Sequence, residues 1–184
     1  MKYKKKLLLS ILGIILFFNA NAQKKESTMV FNFGETANKT AGTAINKATT
    51  YNDAAGYGFD LDSDKNVAFD KKSISANNSI YFSVKLPEGN YTVEVVIGGK
   101  NSATTTIKAE SRRLMLREIK TAEKETKTER FVINVRTAKF DANKSIRLKP
   151  GEISGLNWDD KLTLEFSKAS VVQSIKITPV SKIK

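Results

Sequence analysis

Cysteine and histidine are both absent from the 184 residues of the chain. Without cysteine there are no disulfides, no thiolate nucleophile, no cysteine-type zinc site and no lipidated N-terminal cysteine. Without histidine there is no Ser-His or Cys-His catalytic pair and no histidine-ligated metal. The functions that remain are dominated by binding and scaffolding.

The N-terminus has the three parts of a secretory signal peptide. Four lysines precede an apolar run from Leu7 to Phe18, and Ala20-Asn21-Ala22 is a small-x-small cleavage sequence. A membrane anchor is the alternative, but a helix of this run rises only about 18 Å, short of the roughly 30 Å hydrocarbon core. We therefore predict a signal peptide at 1–22, a secreted or periplasmic protein, and no membrane span in the mature form.

The charge balance is strongly basic, with 31 Lys+Arg against 19 Asp+Glu. Removal of the four leader lysines lowers the formal charge from +12 to +8. A secreted basic domain is expected to meet an acidic polysaccharide or an anionic cell surface rather than nucleic acid. The alternative is a solvated surface with an incidental excess of lysine.

Most of the mature chain alternates between apolar and polar residues, with turn residues between the runs. This pattern predicts an all-β fold, an antiparallel β-sandwich or jelly roll with about nine strands. No linker divides the chain, so we expect one domain at 30–180 with tails at 23–29 and 181–184. The nine predicted strands are 29–33, 80–86, 91–97, 103–109, 113–116, 130–135, 145–148, 162–166 and 174–178.

Two connections receive a specific prediction. The strands at 80–86 and 91–97 flank Pro87-Glu88-Gly89-Asn90, which favours an antiparallel hairpin. The segment 116–130 is rich in Glu and Lys and has too few apolar positions to bury a helix face. We predict an exposed hairpin or loop there, with a short surface helix as the alternative.

Aromatic residues in the loops indicate a sugar-binding surface, because flat rings pack on the apolar faces of pyranoses while polar neighbours bond the hydroxyls. Tyr51, Tyr57 and Trp158 each have such neighbours, and Asn157 precedes the only tryptophan. The alternatives are that Trp158 plugs one end of the sandwich and that Tyr57 packs in the core.

Two charged clusters are further candidates. Arg112 and Arg113 would face opposite ways in a strand, so that one could grip a uronate carboxylate while the other pairs with Glu110 or solvent. A surface ion pair is the alternative. A structural calcium ion is the one cofactor considered, with weak oxygen-ligand candidates at Asp60, Asp62, Asp159 and Asp160.

Several motifs, taken in order, resemble a known family. They are 31–34 (FNFG), 56–60 (GYGFD), 81–91 (YFSVKLPEGNY), 109–116 (AESRRLML) and 156–166 (LNWDDKLTLEF). Together they resemble the N-terminal domain of bacterial rhamnogalacturonan acetylesterase-type proteins. The resemblance implies a galactose-binding-like β-sandwich placed before an SGNH-type hydrolase that deacetylates pectin.

The family's catalytic blocks have no counterpart in this sequence, since its Gly-Asp-Ser and Asp-x-x-His motifs are absent. We therefore expect a non-catalytic module that binds an acidic plant-cell-wall polysaccharide such as rhamnogalacturonan through Tyr57, Asn157, Trp158 and the Arg112–Arg113 pair. The alternative is a structural domain that packs against an SGNH hydrolase supplied in trans and binds no sugar. The end of the sequence at Lys184 fits either a truncated or split gene or a free-standing module.

Overall fold

A computed structural model describes residues 27–180 except 38, 40, 111, 142 and 154. The predicted signal peptide at 1–22, residues 23–26 of the N-terminal tail and the tail at 181–184 lie outside these described residues. Met29, which belongs to both the predicted tail at 23–29 and the predicted strand at 29–33, is the first residue of that strand. Among the described residues, no helix is long and apolar enough to cross a membrane.

Strands dominate the described chain, which also contains a 3-10 turn at Asp64–Asn66 and one helical turn, α1, at Pro150–Ile153. The strands are β1 Met29–Phe33, β2 Thr43–Ile45, β3 Tyr57–Asp60, β4 Val67–Asp70, β5 Ser73–Ala76, β6 Ile80–Lys85, β7 Gly89–Gly98, β8 Ala103–Ala109, β9 Arg113–Thr121, β10 Thr126–Val135, β11 Lys139–Asp141, β12 Lys144–Ser145, β13 Lys161–Phe166 and β14 Val171–Pro179.

The strands form a β-sandwich, as the alternation predicts. One sheet has the order β10-β7-β14-β1-β2, with β5 also paired to β14 and β4 paired to β5. The facing sheet has the order β3-β6-β13-β8-β9, and β11 and β12 form a separate two-stranded ribbon. The named strands pair antiparallel except β1 with β2, which are parallel, so the antiparallel prediction is correct apart from this pair.

The core lies between the two sheets and is built from the inward-facing residues of each strand. Phe31 and Phe33 of β1 meet Phe59 and Phe82 of the facing sheet, and the Phe82 ring makes edge-to-face contacts 5.2–5.4 Å from the other three ring centres. Such contacts stabilise a core beyond the area they bury. The predicted inward positions of β6 and β7 are confirmed, because Ile80, Phe82, Val84, Leu86, Tyr91, Val93, Val95 and Ile97 are all buried.

The predicted hairpin of 80–86 with 91–97 is wrong. β6 pairs with β3 and β13, whereas β7 pairs with β10 and β14 in the other sheet. The connection therefore arches across the core, and the Tyr91 hydroxyl donates a hydrogen bond to the Pro87 carbonyl at 2.7 Å. Alternation reports which face of a strand is buried, and both strands bury a face in the same core without pairing to each other.

The segment 116–130 is neither a loop nor a helix, and its strands do not pair as a hairpin. β9 extends through it to Thr121, a turn follows, and β10 begins at Thr126 in the opposite sheet. Both are exposed strands whose solvent face is charged, which is typical of sheet edges. The density of Glu and Lys there reflects edge position rather than absence of strand structure.

Smaller corrections concern short elements. The predicted strand 145–148 is reduced to Lys144–Ser145 in β12. The sequence pattern also missed β2, β3, β4, β5 and β11, each of three or four residues. Runs this short contain too few alternations to be recognised. β3 and β5 pair with the longer strands β6 and β14, which supply their hydrogen-bond partners.

Candidate functional site

The outer face of the five-stranded sheet carries buried polar residues. Ser83 and Thr163 are 0% and 1% exposed although they point away from the core. Their hydroxyls lie 2.8 Å apart, and the Ser83 hydroxyl also lies within donating distance, 2.8 Å, of Asp60 Oδ2. Buried hydroxyls that are hydrogen-bonded in this way specify their neighbours' positions.

Asp60 is the anionic centre of this polar face. Lys161 Nζ lies 2.9 Å from its Oδ2, and the Leu61 N–H donates to its Oδ1 at 2.8 Å. Burial acts to raise the pKa of Asp60, but the hydrogen bonds from Lys161 and Ser83 outweigh burial and hold the pKa below its usual value. Asp60 is therefore ionised and neutralised by a protein cation.

Glu110 lies farther along the same face, immediately after β8. Its N–H donates to the Thr163 carbonyl at 2.9 Å, and its Oε1 accepts the Thr163 N–H at 3.3 Å. Burial raises the pKa of Glu110 to about 8, with Asp159 adding to the rise, while the Thr163 N–H and Arg136 oppose it. At neutral pH the carboxyl group is mostly protonated and can donate a hydrogen bond.

The turn that carries Glu110 has a strained backbone. Glu110 and Arg112 have φ values of 56° and 66°, in the left-handed region, and the Arg112 N–H donates to the Glu110 carbonyl at 2.7 Å. Such residues cost about 1–2 kcal/mol each and concentrate at functional sites. Arg113 begins β9, as the predicted strand at 113–116 has it, whereas Arg112 belongs to the turn. Strand alternation therefore does not set the relative directions of the two arginines.

Two cavities meet at Glu110, and we call them together the Glu110 cleft. The smaller, of about 120 Å³, is lined by Glu110, Arg113, Ile133, Asn134, Arg136 and Asn157. The larger, of about 470 Å³, is lined by Leu61, Tyr81, Glu110, Arg112, Gly151, Gly155 and Leu156. Leu61 also has a left-handed backbone, with φ 53°. Three of the seven described non-glycine residues with positive φ therefore line the larger cavity.

Trp158 stands beside the smaller cavity and contacts one of its arginines. The Arg136 guanidinium lies 4.4 Å from the centre of the Trp158 ring, a cation–π arrangement. Trp158 is half-buried, and one face of its ring is covered by this cation. Tyr51 is arranged similarly, with Lys161 Nζ 4.7 Å from its ring centre. Neither ring is a bare platform for a sugar.

The structure brings four of the predicted site residues to this one region. Arg112, Arg113 and Asn157 line the cleft, and Trp158 contacts it through Arg136. Tyr57 lies apart, since its ring packs 5.2 Å from that of Phe31 against the core. No ion pair joins Arg112 or Arg113 to Glu110 among the described residues.

The calcium candidates do not form a ligand set. Asp60 is bound to Lys161, and Asp160 lies 3.3 Å from Lys85 Nζ. The Asp159 Oδ1 accepts the Lys161 N–H at 3.2 Å, and burial raises the pKa of Asp159. Within the described part of the chain, no group of three or more acidic residues is arranged to hold a metal ion.

Sequence reasoning missed Arg136 and Asn134 and treated Glu110 only as an ion-pair partner. Arg136 directly follows β10, where the strand leaves its sheet, and Asn134 is an exposed residue near the end of that strand. The sequence has a cation at a predicted strand end and a single tryptophan in a loop. Together these two features could have suggested the contact between Arg136 and Trp158. The pairing itself joins residues 22 positions apart, which local pattern does not report.

Comparison with known proteins identifies the fold. No protein-family model matches the chain, and no curated protein matches it. The solved structure of protein YXIM from Bacillus subtilis matches with a TM-score of 0.56 and 18% identity, covering 84% of this chain. The chain spans only 40% of that Bacillus protein. This likeness supports the β-sandwich fold and nothing finer.

Weaker structural matches include two carbohydrate-binding modules. A family 35 module from Clostridium thermocellum has a TM-score of 0.33 and 13% identity, covering 59% of this chain and 78% of its own. The CBM36-1 domain of a xylanase from the hindgut metagenome of Trinervitermes trinervoides has a TM-score of 0.40 and 10% identity, covering 84% and 99%. None of these matches names an acetylesterase.

Proposed function

We propose that this protein is a secreted or periplasmic, non-catalytic carbohydrate-binding module whose Glu110 cleft binds the carboxylate of an acidic sugar. The observation that carries the proposal is the placement of three arginines around a half-buried, mostly protonated Glu110, with Arg113 and Arg136 lining the smaller cavity and Arg112 lining the larger one. Arginine binds carboxylates through two parallel hydrogen bonds and is the residue most suited to this task.

The other groups of the cleft suit the rest of a sugar ring. The Asn157 side chain supplies an amide donor and an acceptor for hydroxyls. Asn134 supplies its amide oxygen as an acceptor, because its Nδ2 already donates to the Gly89 carbonyl at 3.2 Å and to Asn90 Oδ1 at 3.0 Å. Protonated Glu110 can donate to a ligand carboxylate, which an ionised glutamate would repel. Arg136 is held against Trp158, so its guanidinium loses little conformational freedom when a ligand binds.

The ligand we propose is a uronate-containing plant-cell-wall polysaccharide, of which rhamnogalacturonan is the example that the family resemblance implies. The net positive charge of the chain supports an anionic ligand, because it attracts polyanions over a distance. The proposal requires no cofactor. A structural calcium ion, if one is bound, would have a separate role.

Calorimetric titration with galacturonate oligosaccharides tests this function. We expect saturable binding that persists at 0.5 M salt (about 4 Å Debye length) and weakens about tenfold or more in Arg113→Gln. Arg117→Gln is the matched control, because Arg117 is exposed on the same strand, outside the cleft, with the same charge. Equal weakening in both variants, or no saturable binding, would contradict the proposal.

The second candidate function is packing against an SGNH-type hydrolase supplied in trans. Phe140 and Ile146, on and beside the β11–β12 ribbon, are 67% and 47% exposed, which is unusual for large apolar side chains. If this function is correct, a hydrolase encoded beside this gene co-elutes with the protein, and Phe140→Ser abolishes co-elution while leaving sugar binding unchanged. Independent elution of the two proteins would contradict it.

A further inference from the structure

A second cavity system lies at the other end of the sandwich from the Glu110 cleft. Its main cavity, of about 550 Å³, is lined by Lys71, Lys72, Lys100 and Lys124 together with Asp70, Ser73, Gly99, Thr126 and Gln173. The lysines come from the β4–β5, β7–β8 and β9–β10 connections. We call this cavity the lysine groove.

The groove is distinct from the Glu110 cleft. β8 begins at Ala103 near the groove and ends at Ala109 beside Glu110, and its seven residues span about 20 Å. None of the residues that the structure describes lines both sites. A ligand in one site therefore leaves the other free.

The charge of the groove is not compensated by the protein. Four lysines face one aspartate in its lining. Lys124 lies 3.4 Å from the exposed Glu123 carboxylate. Within the described part of the chain, no ion pair joins Lys71, Lys72 or Lys100 to a carboxylate. The lysines line one cavity and carry like charges, which repel each other. Binding an anion there is therefore favourable.

The backbone under the lysines is held by the fold. Thr36 donates from its N–H at 2.9 Å and from its hydroxyl at 2.7 Å to the Lys71 carbonyl. The Lys124 N–H donates to the Lys100 carbonyl at 3.3 Å, and the Gln173 side chain donates to the Gly98 carbonyl at 3.0 Å. The positions of the lysines are therefore set before a ligand arrives, and only their side chains must order.

The groove is long enough for a chain of residues rather than a single ion. It continues into a neighbouring cavity of about 310 Å³, which shares Lys72 and Gln173 with it and is also lined by Asn32, Thr36 and Ser174. Amide and hydroxyl groups of this kind bond sugar hydroxyls. The lysine ammonium is a point charge on a flexible stem, so it binds carboxylate or sulfate without requiring one fixed orientation of the anion.

We propose that the lysine groove is a separate binding site for an anionic glycan chain carrying uronate carboxylates or sulfate esters. Among the described residues, the main cavity is lined by no exposed aromatic ring on which a nucleic-acid base could stack and by no exposed large apolar side chain that could enter a bilayer. This inference does not depend on the function proposed for the Glu110 cleft.

The test is titration of the protein in the Arg113→Gln background with a hexagalacturonate, a sulfated hexasaccharide, an uncharged hexasaccharide and a single-stranded DNA hexamer. We expect saturable binding of one or both anionic glycans. Removing Lys71, Lys72 and Lys100 together, each as Lys→Gln, weakens it about tenfold. The two anionic arms identify which acidic group the groove takes.

The matched control removes the same charge at the other end of the molecule, as Lys139→Gln, Lys144→Gln and Lys149→Gln together. It should weaken binding less than about threefold, because it changes only the long-range field. A Lys→Arg triple at the groove positions should retain binding and shows that loss in the glutamine variant is not misfolding. Equal loss in both glutamine triples, equal affinity for the DNA hexamer, or no saturable binding would overturn the proposal.

Discussion

At one end of the sandwich Glu110 lies half-buried on a strained turn among arginines, whereas at the other end four lysines from turns line an open groove. The first arrangement lowers stability to place a neutral carboxyl and planar guanidinium groups at defined positions. The second costs little, because exposed lysines remain hydrated. As proposed, the cleft binds anions through the geometry of fixed groups and the groove through charge density. We therefore expect the two sites to respond differently to mutation, pH and salt.

The largest expected effect is a loss of stability in Asp60→Ala, at the Glu110 end. Lys161 would lose the carboxylate 2.9 Å away, and Ser83 and Leu61 would lose a hydrogen-bond acceptor. Because both charged side chains are largely buried, we expect the free energy of unfolding to fall by about 3 kcal/mol. Urea denaturation measures it. Asp70→Ala, in the lysine groove, is the control and should change stability by less than about 0.5 kcal/mol; similar losses would remove the contrast between the ends.

Glu110→Gln should increase stability at alkaline pH. The folded-state pKa of about 8 exceeds the ordinary value of 4.5, so the folded protein holds more protons than the unfolded chain between these values. Stability of the wild type therefore falls as pH rises through this window, by up to about 1.4 kcal/mol per unit of pKa difference. Thermal unfolding at pH 5 and pH 9 measures this difference. Relative to the wild type, the free energy of unfolding of the variant should rise between these pH values, by on the order of 2 kcal/mol at pH 9. A parallel pH dependence of the two proteins would show that Glu110 does not titrate in this way.

Two adjacent glycines, Gly98 and Gly99, test how firmly the backbone is held at the end of the sandwich that carries the lysine groove. Gly98 has φ +89°, and a Cβ there would lie 2.9 Å from Thr121 Cγ2 and closer still to the Glu125 carbonyl. Gly98→Ala should lower the free energy of unfolding by about 2 kcal/mol. At Gly99 the nearest contacts of a Cβ are 3.3 Å and 3.4 Å, to Ser73 Oγ and Val171 Cγ1, so Gly99→Ala should cost less than about 1 kcal/mol. Denaturation midpoints compare the two variants. If Gly99→Ala were the more destabilising, the backbone of this turn would not be held as described.

The smallest energetic effect is expected for Arg136→Gln, which removes the cation over Trp158. Stability should fall by about 0.5–1 kcal/mol. The fluorescence emission of Trp158, the only tryptophan, should shift because its ring loses a charged neighbour. The lysine-groove triple variant should leave this emission unchanged, and anionic sugars should alter it only when they occupy the cleft. An emission change in the groove variant would show that the two sites are coupled.

Much of the fold follows from the sequence pattern, but its connectivity does not. The inward residues of β6 and β7 were predicted correctly, since hydrophobic alternation is a local property of each strand. Their pairing was not, because an arch between sheets and a hairpin bury the same faces. Likewise the charged segment around Lys120 was not recognised as strand, since edge strands need only one covered face.

The candidate site was predicted in part. Arg112, Arg113, Asn157 and Trp158 were chosen from residue chemistry, and the structure places all four at the Glu110 cleft. Their binding role remains a prediction. Tyr57 was chosen by the same reasoning and packs on Phe31 instead, because a tyrosine in a short strand has the same pattern whether its ring faces the core or a ligand.

The sequence by itself determined the all-β class, the buried faces of β6 and β7, the basic charge and the exclusion of cysteine and histidine chemistry. These depend on residue type and on period-two alternation, which act over a few residues. Only the tertiary structure decided that Arg136 covers Trp158, that Glu110 is half-buried and mostly protonated, and that lysines from three connections share one groove. Those features arise from residues distant in sequence, whose convergence is set by sheet order and by the packing of one sheet on the other.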